Sequence, residues 1–182
     1  MQKHIISILV ENSAGVLSRI SGLFSRRGYN IDSLSVGETE DPRYSRITVV
    51  TRGDDNIVDQ ICSQVEKLLV VEKAVVLSPK SSVFRELVLI KVKADFSTRT
   101  DVMSIAEIFR TSIIDVSSDA LVIEITGTQG KIKAFTKLME PFGIIEIVRT
   151  GLTAIQRGDL WINDPASCNA AEDESAEYDA WK

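Results

Sequence analysis

From His4 to Glu11 apolar and polar residues alternate, with Ile6, Ile8 and Val10 on one face, and the pattern predicts a strand. Asn12-Ser13-Ala14-Gly15 breaks it. Val16, Leu17, Ile20, Leu23 and Phe24 then recur at helical spacing, and Arg26-Arg27-Gly28 supplies the basic last turn and glycine stop of a helix. A second strand is predicted over Tyr29–Glu38, with Ile31 and Ser33 facing one way and Leu34 and Val36 the other. Asp41-Pro42-Arg43 reads as a turn, and Arg46–Thr51 as a β-branched third strand. Asp54-Asp55-Asn56 caps a helix with Ile57, Ile61, Val65 and Leu68 on one stripe, and Val70–Leu77 is a fourth strand. The order is β-α-β-β-α-β.

After the break at Ser78-Pro79-Lys80-Ser81-Ser82 the pattern restarts. Glu86–Ala94 is a strand, and Ser97–Thr100 opens a helix through Val102, Ile105, Ala106 and Phe109. Ile113–Val116 and Leu121–Ile125 are strands. A helix bearing Ile132, Phe135, Leu138 and Met139 leads into a last strand at Gly143–Val148. The same order twice marks an internal structural repeat. The predicted fold class is α+β: two consecutive ferredoxin-like βαββαβ units, with four antiparallel strands and two helices on one face in each. The expected divisions are 1–78, 83–159 and a tail over 160–182. Apolar residues occur in both parities of the strands, so each sheet needs cover on its second face. Dimerisation, or packing of one unit on another, follows.

Charge separates the tail from the body. Of the net −5, residues 159–182 hold seven acids against Lys182 alone, and the remainder holds 19 acids and 20 bases. The body thus has no global bias toward nucleic acid or a membrane surface. The tail, rich in Ala, Ser, Asp and Glu, is expected to be disordered, with Trp161 as the last anchored side chain. No run of 18 apolar residues or signal peptide is found, so the expected location is cytoplasmic.

Catalytic chemistry has little to draw on. His4 is the only histidine, which removes most zinc and His-dependent general-base chemistry. Cys62 and Cys168 lie too far apart for a framework of disulfides, and Cys62 falls beside a helix's apolar stripe. Glu38 with Glu40, and Asp54 with Asp55, sit in turns and read as solvated. Gly127-Thr128-Gln129-Gly130 lacks the lysine of a phosphate loop. RNA recognition by such a sheet needs aromatics on its central strands. His4–Glu11, Arg46–Thr51, Glu86–Ala94 and Leu121–Ile125 contain none.

The first turn, Glu11-Asn12-Ser13-Ala14-Gly15-Val16-Leu17, is the most informative segment. The N–H groups of a helix start near Gly15–Leu17 suit a carboxylate, and the Asn12 side-chain oxygen can accept from an ammonium. Together they would hold both ends of an amino acid. The alternative is an Asn/Ser cap with a glycine for turn geometry.

Residues Ile8–Arg19 and Gly22–Leu34 resemble the ACT domain of the small, regulatory subunit of acetolactate synthase. The similarity continues through Asp41-Pro42, Ser45–Thr48, Arg85-Glu86-Leu87, Glu107–Arg110, Ile113–Val116, Gly127-Thr128, Gly130-Lys131 and Arg157-Gly158-Asp159, so it covers about residues 3–159. The resemblance implies that the first unit is an ACT domain and that the chain is non-catalytic. It implies a partner, the catalytic large subunit, which this chain activates and makes sensitive to valine or another branched-chain amino acid. Thiamine diphosphate, magnesium and FAD would belong to that large subunit, with none in this chain.

In that family the effector lies between the ACT domains of a homodimer. Carried over by position, Asn12, Gly15, Val16 and Leu17 come from one chain and Asn30 and Ile31 from the other. Backbone N–H groups near Gly15–Leu17 would take the carboxylate, Asn12 and Asn30 the ammonium, and Ile31 and Leu17 the aliphatic group. Lys93-Ala94-Asp95-Phe96 stands where the first unit has Glu11-Asn12-Ser13-Ala14, so the second unit should not bind the same ligand. Its implied role is contact with the catalytic subunit or relay of the effector signal. Two other readings stay open: an ACT-type sensor for another enzyme, and a ligand-free dimerisation subunit.

Overall fold

A computed structural model describes residues 2–164. Eight strands and four α-helices follow the expected order. They are β1 (Gln2–Glu11), α1 (Val16–Arg27), β2 (Ile31–Glu38), β3 (Tyr44–Gly53), α2 (Asp55–Val65) and β4 (Val71–Leu77), then β5 (Ser82–Lys93), α3 (Arg99–Ile108), β6 (Ser112–Val116), β7 (Ala120–Gly127), α4 (Gln129–Met139) and β8 (Ile144–Gln156). Two four-stranded sheets form, β2-β3-β1-β4 and β6-β7-β5-β8. Each is the antiparallel order of a ferredoxin-like unit, so the predicted fold class holds.

In the first sheet Ile6 and Ile8 of β1 lie opposite Val49 and Ile47 of β3. These four pack with Val16, Ile20, Leu23 and Phe24 of α1 and Val58, Ile61 and Val65 of α2. Asp54 caps α2, its carboxylate accepting from the Ile57 N–H at 2.9 Å, and Gly28 ends α1 at a φ of 72°. In the second sheet Val88, Ile90 and Val92 lie opposite Ile125, Ile123 and Leu121, and pack with Val102, Ala106, Ile132, Phe135 and Met139.

Three findings depart from the linear reading. A β-bulge between Ile31 and Ser33 puts Ile31 on the helix-covered face with Leu34, not with Ser33. One extra residue in the strand reverses its parity, so alternation cannot carry across Asp32. β3 begins at Tyr44 and β5 contains Phe84 near its start, so two aromatics do stand on central strands, near their ends. Finally, β5 and β8 are much longer than expected.

Each of these long strands crosses between two compact units. One compact unit contains residues up to Phe84 and, among the described residues, 152–164; the other is Arg85–Gly151. Compactness thus divides the chain elsewhere than at 78 and 83. The second face of the first sheet, with Ile5, Ser7, Thr48, Val50, Val75 and Leu77, is buried. Ser33 and Ser35 of β2 lie opposite Val50 and Thr48. Ser33 Oγ accepts from the Leu152 N–H at 3.0 Å, and Ser35 Oγ lies 3.1 Å from Thr153 Oγ1. The end of β8 therefore runs beside β2 on this face, within one unit of one chain. Among the described residues the last deeply buried side chain is Ile162, while Trp161 is 59% exposed. The expected tail, 160–182, is described only to Asp164.

Candidate functional site

Gly15 stands at the N-cap of α1 with φ 86°, a left-handed backbone that favours glycine. A Cβ there would meet nothing within 4 Å, so the surface over the helix start is open. Val16 N–H reaches Ser13 O at 3.4 Å and Arg19 N–H closes on Gly15 O at 3.1 Å. The N–H groups of Gly15, Leu17 and Ser18 have no acceptor among the described residues. The first turn holds no acidic residue, and Arg26 and Arg27 occupy the last. The first turn of α1 thus does nothing to offset the positive end of the helix.

Asn12 is fixed beside this start. Its N–H donates to Arg43 O at 2.7 Å, and its side-chain Nδ2 donates to Glu38 Oε1 and to Pro42 O, both at 3.0 Å. Both donors of the amide are thereby used, and Oδ1 is left as the acceptor. Val16 is buried in the core, so its side chain is committed to packing. Leu17 is 42% exposed and presents an aliphatic surface.

Asn30 and Ile31 lie elsewhere. Asn30 precedes β2, whose Ile31 lies opposite Thr51, while Glu38 at the other end lies opposite Ser45. Asn30 Nδ2 donates to Asp32 Oδ1 at 2.8 Å, and Thr51 Oγ1 donates to Asn30 O at 2.7 Å. Arg52 Nε donates to Asp32 Oδ2 at 2.6 Å, and this bond above all holds the Asp32 carboxyl below its ordinary range. Ile31 is half-buried against the core. One chain therefore gathers Asn12, Gly15, Val16 and Leu17 and leaves Asn30 and Ile31 about 24 Å of strand away.

Glu38 and Asp32 were not among the sequence candidates. Glu38 reads as a solvated turn residue, because its partner Asn12 is 26 positions distant. Asp32 carried a signal, a charge interrupting strand alternation two residues after Asn30, and the bulge is what that interruption marks.

In the second unit a carboxylate ties down the turn before α3. Asp95 Oδ1 accepts from the N–H groups of Ser97 and Thr98 at 2.9 and 3.0 Å, and from their hydroxyls at 2.7 and 3.0 Å. These bonds, the Ser97 hydroxyl foremost, pull its pKa down to about 2. A carboxylate of the chain thus takes the N–H of Thr98, the N-cap of α3, where the corresponding N–H of Gly15 in α1 is open. Among the described residues no cluster of His, Cys, Asp or Glu is suited to a metal ion, and no helix is long and apolar enough to cross a membrane.

Comparison with known proteins agrees with this architecture unit by unit. Residues 6–73 match the AHAS small subunit-like ACT domain, and residues 85–158 match the small subunit of acetolactate synthase. A probable acetolactate synthase small subunit of Methanothermobacter thermautotrophicus is 49% identical over 156 residues, which is 85% of this chain and 93% of that protein. The chain belongs to the acetolactate synthase small-subunit family. A second member, the probable small subunit of Archaeoglobus fulgidus, is 48% identical over 86% of this chain and 98% of its own. The crystal structure of the small subunit from Thermotoga maritima superposes with a TM-score of 0.83 at 41% identity, covering 88% of this chain and all of that one. Family membership gives the regulatory class of subunit, and it implies the catalytic large subunit as partner.

Proposed function

We propose that this chain activates the catalytic large subunit of acetolactate synthase and confers feedback inhibition by valine or another branched-chain amino acid bound between the ACT domains of two chains. The catalysis, and the thiamine diphosphate, magnesium and FAD it uses, belong to the large subunit, in the cytoplasm. The domain limits are taken as 1–78 for the ACT domain and 83–159 for the second.

The observation that carries this reading is the separation of Asn12 and Asn30. β2 is an edge strand of its sheet. If two copies join along β2 about a twofold axis, the strands run antiparallel, and the start of one lies beside the end of the other. Asn30 of the partner subunit then comes to Glu38, Asn12 and the open start of α1. The effector carboxylate would lie on the free N–H groups of Gly15 and Leu17, its ammonium on the Oδ1 atoms of the two asparagines, and its side chain against Leu17 and Ile31 of the partner subunit. Val16 contributes through the core that fixes the turn.

The test is a reconstituted enzyme assayed for acetolactate formation from pyruvate with and without L-valine. Gly15→Asp is expected to remove valine inhibition while leaving activation in place. Retained sensitivity in that variant would refute the site. Measurable acetolactate formation by the chain alone would refute its non-catalytic role.

A further inference from the structure

Both candidate asparagines share one arrangement that the effector reading does not require. Each side-chain amide gives its Nδ2 to a carboxylate: Asn12 to Glu38 at 3.0 Å, and Asn30 to Asp32 at 2.8 Å. Every partner of these two amide nitrogens, Pro42 O included, is an acceptor only. Neither amide can turn round without placing its oxygen against another oxygen. Both Oδ1 atoms are therefore held in one orientation and left as acceptors.

We infer that Glu38 and Asp32 are positioning residues that set ligand selectivity: by binding the amide nitrogens of Asn12 and Asn30 and leaving their oxygens as acceptors, they make the site take a free ammonium and reject the 2-oxo or 2-hydroxy acid of the same carbon skeleton. A 2-oxo group is itself an acceptor and gains nothing from those two oxygens, whereas an ammonium donates to both. A hydroxyl offers one proton where an ammonium offers three, and carries no charge. The same carboxylates make the surroundings negative, which favours the cation further. Arg52 offsets part of this at Asp32, at 2.6 Å, and keeps that carboxylate ionised and in place. The discrimination matters because 2-oxo acids share the side chain of the corresponding amino acids, so an aliphatic pocket alone cannot separate them.

This inference rests on the effector reading, and the experiment separates the two. Full-length wild type, Glu38→Ala, Glu38→Gln, Asp32→Ala, Asp32→Asn and Gly15→Asp are titrated calorimetrically with L-valine and with 3-methyl-2-oxobutanoate, after melting curves without ligand establish that each is folded. Wild type is expected to bind valine at least about a hundredfold more tightly than the oxo acid. Each alanine variant should lower that ratio about tenfold or more, and Glu38→Gln and Asp32→Asn, which keep an acceptor oxygen, should recover most of it. If Gly15→Asp abolishes valine binding but both alanine variants keep the wild-type ratio, or weaken both ligands equally, this inference fails and the site stands. If Gly15→Asp binds valine as wild type does, or wild type binds neither ligand, the site itself is wrong.

Discussion

Asn12 and Asn30 stand at opposite ends of one sheet: Asn12 is tied to Glu38, at the end of β2, and Asn30 leads into Ile31, at its start. A chain of this length cannot fold that distance away without giving up the ladder between β2 and β3. On the proposed reading, a small ligand that touches both sits between two chains.

Mixing two inactive variants tests this directly. Asn12→Ala and Asn30→Ala homodimers should each lose valine sensitivity, because both sites lack one ammonium partner. Random re-pairing in a 1:1 mixture makes about half the dimers mixed, with one site intact in each, so about a quarter of all sites recover. Partial return of valine inhibition on mixing, absent from either variant alone, is the expected result. No return under conditions where subunit exchange is demonstrated would refute a site shared between the two residues.

The edge of β2 gives a prediction on assembly. Val36 is 46% exposed there. Val36→Lys sets like charges near one another across a twofold axis and should shift full-length protein from dimer toward monomer in sedimentation velocity. The whole chain is the right material. Residues 1–77 alone lack Leu152, Ala154 and Ile162, which are buried in the same compact unit.

Gly15→Asp also has a cost in stability. Its left-handed φ of 86° strains any L side chain by about 1–2 kcal/mol, while the open space around it means no clash. A fall in Tm of a few degrees is expected in differential scanning calorimetry, with the fold retained. Complete unfolding would show that the turn, not a ligand site, explains the glycine.

At the C-terminal end Ile162, 3% exposed, should matter more than Trp161. Ile162→Ala is expected to cost about 2–4 kcal/mol in denaturant unfolding, and Trp161→Ala less. Truncation after Asp164 should preserve both stability and valine response.

Acid should act on the second unit late. The carboxyl of Asp95 titrates at about 2, below its ordinary value of 3.8, because hydroxyl and N–H donors of Ser97 and Thr98 hold its charged form. A lowered pKa means that its contribution to stability is complete above pH 4 and is lost as pH falls through about 2. Carboxyl NMR titration should place the Asp95 midpoint near 2, and Asp95→Asn should flatten the stability profile between those values.

The sequence by itself determined the two βαββαβ units, their core faces and the polar turn before α1, because periodicity and caps are local and each apolar stripe must be buried somewhere. It also marked the difference between the two helix starts, since Asp95 replaces the Asn12 to Gly15 pattern within a few residues. The bulge at Asp32, the tie between Asn12 and Glu38, the run of β8 along β2 and the burial of Ile162 were decided only by tertiary structure. Each depends on residues 26 to 119 positions apart, or on one inserted residue that reverses a strand's parity, and neither is encoded in the spacing of apolar residues. The distance between Asn12 and Asn30 is of the same kind. Their identities are written in the chain, but their places at opposite ends of β2 follow from strand register, and that register is why a small-molecule site built on both would take two chains.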